Sequence, residues 1–357
     1  MKVGILSMQQ IKNYGSFLQA YALKSTIERL GHEVKFINII KGEQIGDYKI
    51  SKLHNLRQLI KRLNCKRPFE NLKYTIKLHK RFDREFLPEL GVYKGLVKEH
   101  FDVVIIGSDE VFNCAQITWF GFSTQLFGEN INADRVISYA ACFGSTTIAK
   151  LEEMGVASRV GNLLSAFTSL SVRDKNSFNI IKALTGRVPC INIDPVLLYN
   201  YQCEIKKVKC DCDYMLIYTY PGRLRDKIEV SAIIEYAKKY NLKIICIANY
   251  FDWVDMVVTP HPFEVLSYFK NAFCIVTDTF HGSVMSIKFN KNFATIIRGM
   301  NNQKISYLLE QFNLSDRVFC KGTSLENILS TSIDYYPVNQ IINNEINSSL
   351  NYLKTNL

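Results

Sequence analysis

Short apolar runs alternate with helix-periodic segments along most of this chain, and that rhythm confines it to an α/β architecture of parallel strands. The opening sets the pattern. Residues 3–6 read as a buried strand. A helix over 17–30 follows, with Leu18, Tyr21, Ala22, Ile27 and Leu30 in period and Gly31 as its stop. A strand at 33–38 completes a βαβ unit. Further strands are expected at 101–106, 135–139, 166–172 and 190–193. A polar, Lys-rich break spans 201–211. A second series then runs through strand 214–218, helix 226–240, strand 243–247, short helix 262–269, strand 272–276, a helix after Gly282 and strand 293–297. A chain of 357 residues exceeds what one core usually organises. The break therefore divides it into two Rossmann-like parallel-sheet domains, 1–200 and 201–357, facing across a cleft. A last helix over 337–357 is read as crossing back onto the first domain.

Composition excludes several classes. With 47% apolar and 22% charged residues the chain is a folded protein and not a disordered one. Its ten cysteines are scattered, several in apolar runs (Cys190, Cys246, Cys274), which predicts free buried thiols in a reducing compartment. Cys210-Asp211-Cys212 lacks partner pairs at zinc spacing, so no metal is expected. The first residues are too polar for a signal peptide, and no window approaches a spanning helix, which points to the cytoplasm. Neither Gly-x-Gly-x-x-Gly nor Gly-x-x-x-x-Gly-Lys-Ser occurs, against the common nicotinamide and ATP enzymes. No Gly-x-Ser-x-Gly elbow supports a hydrolase triad.

The net charge is +11, and much of the excess lies in a basic insertion near 51–87. Lys61, Arg62, Lys66, Arg67, Lys73, Lys77 and Lys80 interleave there with Leu56, Leu59, Phe69, Leu72 and Ile76. This reads as a basic amphipathic helix pair. It is either a solvated face or a surface for anionic membrane lipid or an anionic substrate. No nucleic-acid module accompanies it, so nucleic acid is not an expected partner.

Functional residues of a parallel sheet collect where its strands end. The richest such place is Thr277-Asp278-Thr279-Phe280-His281-Gly282, after the apolar run 272–276. His281 suits acid/base or anion-binding work, or caps a helix. Asp278 or Thr279 can cap the following helix, whose free N–H groups favour an anion; Asp278 can instead orient the imidazole. Arg173-Asp174 follows another strand. Its guanidinium fork suits a carboxylate or phosphate, unless the two residues pair structurally. Asn13-Tyr14-Gly15-Ser16 fills the first βα loop as a ligand site, or Gly15 simply permits the turn. Gly107-Ser108-Asp109-Glu110 offers two carboxylates for sugar hydroxyls, for a base, or as helix caps. Tyr139 and Gly144 are expected along the same edge, and Asp194-Pro195 ends a strand.

Taken in order, these segments resemble the polysaccharide pyruvyltransferase family. The stretches that carry the likeness are Gly4-Ile5-Leu6 with 13–23, then 102–109, 138–144, 171–174, 194–198 and 277–282, across about 280 residues. Two positions depart from the family pattern: Glu110 and Phe112 stand where Gln and Trp are usual, while Asp109 and Asn113 remain. The resemblance implies a two-domain fold like the GT-B glycosyltransferases. It implies phosphoenolpyruvate as donor, no other cofactor, and a sugar acceptor that becomes a pyruvate ketal as phosphate leaves. Arg173, Asp278, Thr279, Phe280, His281 and Gly282 would then hold the donor, with His281 as general acid and Arg173 as anion clamp. Asn13, Tyr14, Gly15, Asp109, Glu110, Asn113 and Tyr139 would hold the acceptor, Asp109 also serving catalysis. The acceptor would be a lipid-diphosphate-linked glycan at the inner membrane face, reached through the basic insertion. A nucleotide-sugar glycosyltransferase of the same architecture, or a non-catalytic relative, is the alternative.

Overall fold

A computed structural model describes residues 1–45, 67–93, 95, 99–116 and 118–357. The first part of the basic insertion, with Lys61, Arg62 and Lys66, lies outside the described residues.

Two six- and five-stranded sheets form two α/β lobes. The first lobe contains β1 (Lys2–Leu6), β2 (Glu33–Phe36), β3 (Phe101–Asp109), β4 (Ala133–Ala141), β5 (Ser171–Val172) and β6 (Cys190–Ile191), in the order β2-β1-β3-β4-β5-β6. The second contains β7 (Tyr214–Tyr218), β8 (Lys243–Ile247), β9 (Met256–Val258), β10 (Cys274–Thr277) and β11 (Phe293–Thr295), in the order β11-β10-β7-β8-β9. Neighbouring strands pair in parallel throughout. In each sheet the chain builds outward to one side of its first strand and then returns to the other side. The reversals lie between β1 and β3 and between β7 and β10, and such points open a crevice at the strand ends.

Local sequence explains most elements. The first helix, Tyr14–Arg29, begins three residues before the expected start because Asn13 caps it, its Oδ1 accepting from Ser16 N at 2.7 Å. The quartet 13–16 is thus a cap and a first turn. The strand expected over 166–172 shrinks to Ser171–Val172. Ala166 and Phe167 instead close the preceding helix through bonds to Leu163 and Leu164, and Phe167 turns its ring toward Phe112. The short edge strand β6 leaves the Cys190 residue exposed, against the expected burial, while Cys246 and Cys274 are buried.

The lobes share one continuous apolar core beside the cleft. Phe17 meets Phe263 of the second lobe edge-on at 5.9 Å, and Tyr21 meets the same ring at 4.8 Å. Tyr14 donates to Pro260 O at 3.0 Å. Phe82 and Phe86, just after the helix Pro68–Arg81, pack on Tyr14. The last helix, Tyr335–Asn356, lies against the first sheet: Tyr352 donates to Ser138 O at 2.9 Å, and Ser349 Oγ accepts from Ile193 N at 3.0 Å. Truncating Phe17 removes a ring that joins both lobes. Phe17→Ala is expected to lower unfolding free energy by about 3–5 kcal/mol in urea titrations, since the hole is walled by rings from both sides.

Candidate functional site

The two crevices face each other, and the residues at the strand ends meet in a buried ionic cluster. Arg173, after β5, is almost fully buried. Its Nη1 donates to Asp194 Oδ2 at 2.7 Å and its Nη2 to Asp109 Oδ1 at 2.9 Å. Phe280 of the second lobe covers the guanidinium, 4.1 Å from ring centre to Cζ. His281 follows. Its Nε2 is buried without a hydrogen-bond partner and faces Asp194 Oδ2 at 3.6 Å, too long for a hydrogen bond. Burial pushes the Asp109 carboxyl up, but the charges of Arg173, His281 and Lys304 outweigh it and hold the group well below the usual range. Asp194 is lowered likewise, burial being overcome by His281 and Arg173. Burial disfavours charge on Arg173 too, and its acidic neighbours more than restore it.

Glycine makes this approach possible. A Cβ on Gly15 would lie 2.6 Å from His281 Cγ, so only glycine in the first helix admits the imidazole. Thr279 caps the helix Phe280–Lys288, its Oγ1 accepting from Gly282 N at 2.9 Å. Gly282 in turn is needed against that hydroxyl, which a Cβ would meet at 2.7 Å. On β3, Asp109 takes a left-handed φ of 71°, uncommon for a residue with a side chain and frequent at functional sites.

A cleft of about 180 Å³ opens beside the cluster. From the first lobe come Asn13, Ser16, Asp109 and Glu110; from the second, Tyr220, Arg223, Phe280, His281, Asn301 and Lys304. Lys304 pairs with Glu110 across the cleft. This pairing gives a physical use to the acid that stands where glutamine is usual. Arg223 donates to Asp278 O at 3.0 Å. Asp278 is buried, its Oδ1 accepting from Thr219 Oγ1 at 2.6 Å and its carbonyl from Asn301 at 2.7 Å. Burial raises the Asp278 carboxyl, against the pull of Thr219, Arg223 and Arg298. Its contacts brace Arg223 and its loop rather than the imidazole.

The structure thus brings Asn13, Asp109, Glu110, Phe280 and His281 to the cleft. Other expected residues stand behind them. Arg173 is engaged with two carboxylates inside the protein and does not line the cleft, which corrects its reading as an open anion clamp. Tyr139 is core, donating to Ile193 O at 3.1 Å, and Tyr14 is committed to Pro260. Asn113 donates to Glu110 Oε2 at 2.5 Å and orients it. Gly15, Asp278, Thr279 and Gly282 shape the backbone as described. Tyr220, Arg223 and Lys304 were not anticipated. Arg223 follows β7 in a Tyr-Pro-Gly-Arg turn, where the strand-end rule points; Lys304 sits in the helix Asn302–Gln311 with no local signature. Among the described residues, no group of three His, Cys, Asp or Glu is arranged to hold a metal ion.

A family model described as polysaccharide pyruvyl transferase matches residues 13–299. The chain belongs to the polysaccharide pyruvyl transferase family. It is an enzyme that transfers a pyruvyl group to a sugar in polysaccharide synthesis. No curated protein matches the sequence. Solved structures share the fold. The UDP-GlcNAc 2-epimerase from Neisseria meningitidis bound to UDP-GlcNAc is 14% identical, with 99% of each chain covered and a TM-score of 0.51. A putative UDP-N-acetylglucosamine 2-epimerase from Listeria monocytogenes is 8% identical, covering 97% of this chain and 90% of that one, with a TM-score of 0.51. Both bear out the GT-B-like pair of lobes expected of a pyruvyl transferase with this sequence.

The ionic cluster has a pH signature. The depressed Asp109 and Asp194 contribute stability that is complete above about pH 4 and is lost as pH falls through their folded values. Arg173→Met removes part of the compensating charge and leaves His281 and Lys304 to oppose burial. The variant is expected to lose about 3–5 kcal/mol near pH 7. Between about pH 7 and pH 3 it should lose less further stability than the parent, because both carboxyls then lie nearer their unfolded values. Urea titrations across that range read both effects.

Proposed function

We propose that the enzyme takes phosphoenolpyruvate as donor and joins its C2 carbon to two hydroxyls of one sugar, forming a pyruvate ketal. The observation that carries this reading is the small cleft at the facing strand ends, where Arg223, Lys304 and His281 converge beside Asp109 and Glu110 on about 180 Å³. Such a volume is below the ~300 Å³ of common drug-sized sites and suits a three-carbon anion. Arg223 and Lys304 would hold the donor's phosphate and carboxylate, with Lys304 exchanging Glu110 for the ligand. His281 would act as general acid, delivering a proton to the C3 methylene so that positive charge develops at C2. One sugar hydroxyl attacks C2, phosphate departs, and the second hydroxyl closes the ketal. Of the two hydroxyl protons, one restores His281 and the other leaves with phosphate. Asp109 is held too acidic to be a good base; with Asn13 it would orient a hydroxyl, and Arg173 would fix Asp109 from behind.

Measurement of phosphate release from phosphoenolpyruvate, dependent on added sugar acceptor, tests this reading. His281→Ala is expected to lower kcat at least about a hundredfold with phosphoenolpyruvate still bound. Gly15→Ala should lower kcat as well, by displacing the imidazole while the fold is kept. Full acceptor-dependent turnover in His281→Ala would overturn the assignment.

The same reading places the acceptor on a lipid diphosphate at the inner membrane face. The free thiols of the described cysteines suit a reducing compartment. The helix Pro68–Arg81 presents Phe69, 85% exposed, with Leu72 and Ile76 among Lys73, Lys77 and Lys80. Lys73→Gln/Lys77→Gln/Lys80→Gln is expected to weaken binding to phosphatidylglycerol vesicles at least about tenfold at low salt in sedimentation assays. Unchanged binding would refute the membrane role of this face.

A further inference from the structure

A second, larger cleft adjoins the first. It holds about 590 Å³ between the loops that follow β7 and β8. Arg223 lines both clefts, so the two adjoin at that side chain. We infer that this second cleft binds the phosphorylated end of the sugar acceptor, a glycosyl diphosphate, and that the acceptor site therefore lies mainly on the second lobe. The inference rests on pyruvyl transfer as proposed above.

The wall of this cleft has the chemistry of such a ligand. Phe251 and Trp253 lie side by side, ring centres 5.0 Å apart and 33° between planes. Tyr250 continues them and is held by its hydroxyl, which donates to Glu70 Oε2 at 2.6 Å. Flat aromatic faces of this kind accept the C–H faces of a sugar ring, while its hydroxyl edge stays free to react. The loop is fixed from below: Asn249 Nδ2 donates to Tyr220 O at 3.1 Å, and Asn249 Oδ1 accepts from Tyr250 N at 2.8 Å.

Charge points the same way. Among the described residues that line the cleft, Arg223, Arg225 and Lys227 are cationic and Asp252 is anionic. A neutral polymer needs no such excess; a diphosphate does. Placement agrees as well. One end of the cleft is Arg223, beside the donor site, where the reacting hydroxyls must lie. Another part of its wall is Asn71, Tyr74 and Thr75, from the helix whose outer side carries Phe69, Leu72 and Ile76. On the first lobe Asp109 is fixed by Arg173 beside the reacting hydroxyls, while the wall of the second cleft belongs mainly to the second lobe.

Titration calorimetry on the full chain tests the inference with three probes: methyl galactoside, UDP-galactose and farnesyl diphosphate galactose. Both diphosphates are expected to bind at least about tenfold tighter than the galactoside. Arg225→Gln/Lys227→Gln should abolish that difference, and Trp253→Ala should weaken all three probes. Tighter binding of the farnesyl probe would assign the diphosphate to a lipid, and tighter binding of UDP-galactose to a nucleotide. Equal affinity for galactoside and diphosphates, or diphosphate binding unaltered in both variants, overturns the inference. Phosphoenolpyruvate binding, measured alone and expected to be lost in Lys304→Gln but kept in Arg225→Gln/Lys227→Gln, separates failure here from failure of the donor reading.

Discussion

The buried guanidinium of Arg173 sets the terms for the whole site. A charge in the interior is tolerated when opposite charges offset its desolvation. Its partners, Asp109 and Asp194, come from the end of β3 and from just beyond β6, so pairing them draws the strand ends of the first sheet together. Phe280 of the second lobe then closes over the planar face. Because Phe280 and His281 are adjacent, the same contact delivers the imidazole to Asp194. One desolvated cation thereby fixes the acidic wall of the cleft and the position of the second lobe's imidazole.

Steric economy complements the electrostatics. The first helix approaches the Phe280 helix closely because Gly15 carries no side chain where His281 lies. Aromatic rings on the flank, Phe17, Tyr21 and Phe263 among them, hold that approach with nondirectional apolar packing. The cleft itself is left to a few polar groups. The space around Arg223 and Lys304 is narrow, and the aromatic cleft beyond Arg223 is wider.

Much of the fold was legible because local and global signals agree. Strand 214–218 is apolar throughout and bounded by Asp213 and Thr219, strand 243–247 is apolar after Lys243, and both appear with those limits. Strand 166–172 failed because its apolar residues serve a helix end and the core rather than a ladder. Met256–Val258 escaped notice as a three-residue edge strand of which Met256 is exposed. At the site, His281 and Asp109 were readable as polar residues at strand ends. Lys304 was not, since a lysine in a helix has many ordinary uses. Tyr139 misled, because its place beside a strand end says nothing of which side its ring takes.

The sequence alone determined the two series of parallel strands and the family motifs, because strand–helix alternation and strand-end loops are local patterns. Tertiary structure decided which residues meet. It turned Arg173 inward, paired Glu110 with Lys304 across the lobes, and seated His281 against Gly15, more than 260 positions earlier in the chain. Those outcomes depend on burial and charge balance between segments far apart in sequence, and neither quantity exists until the lobes close on each other.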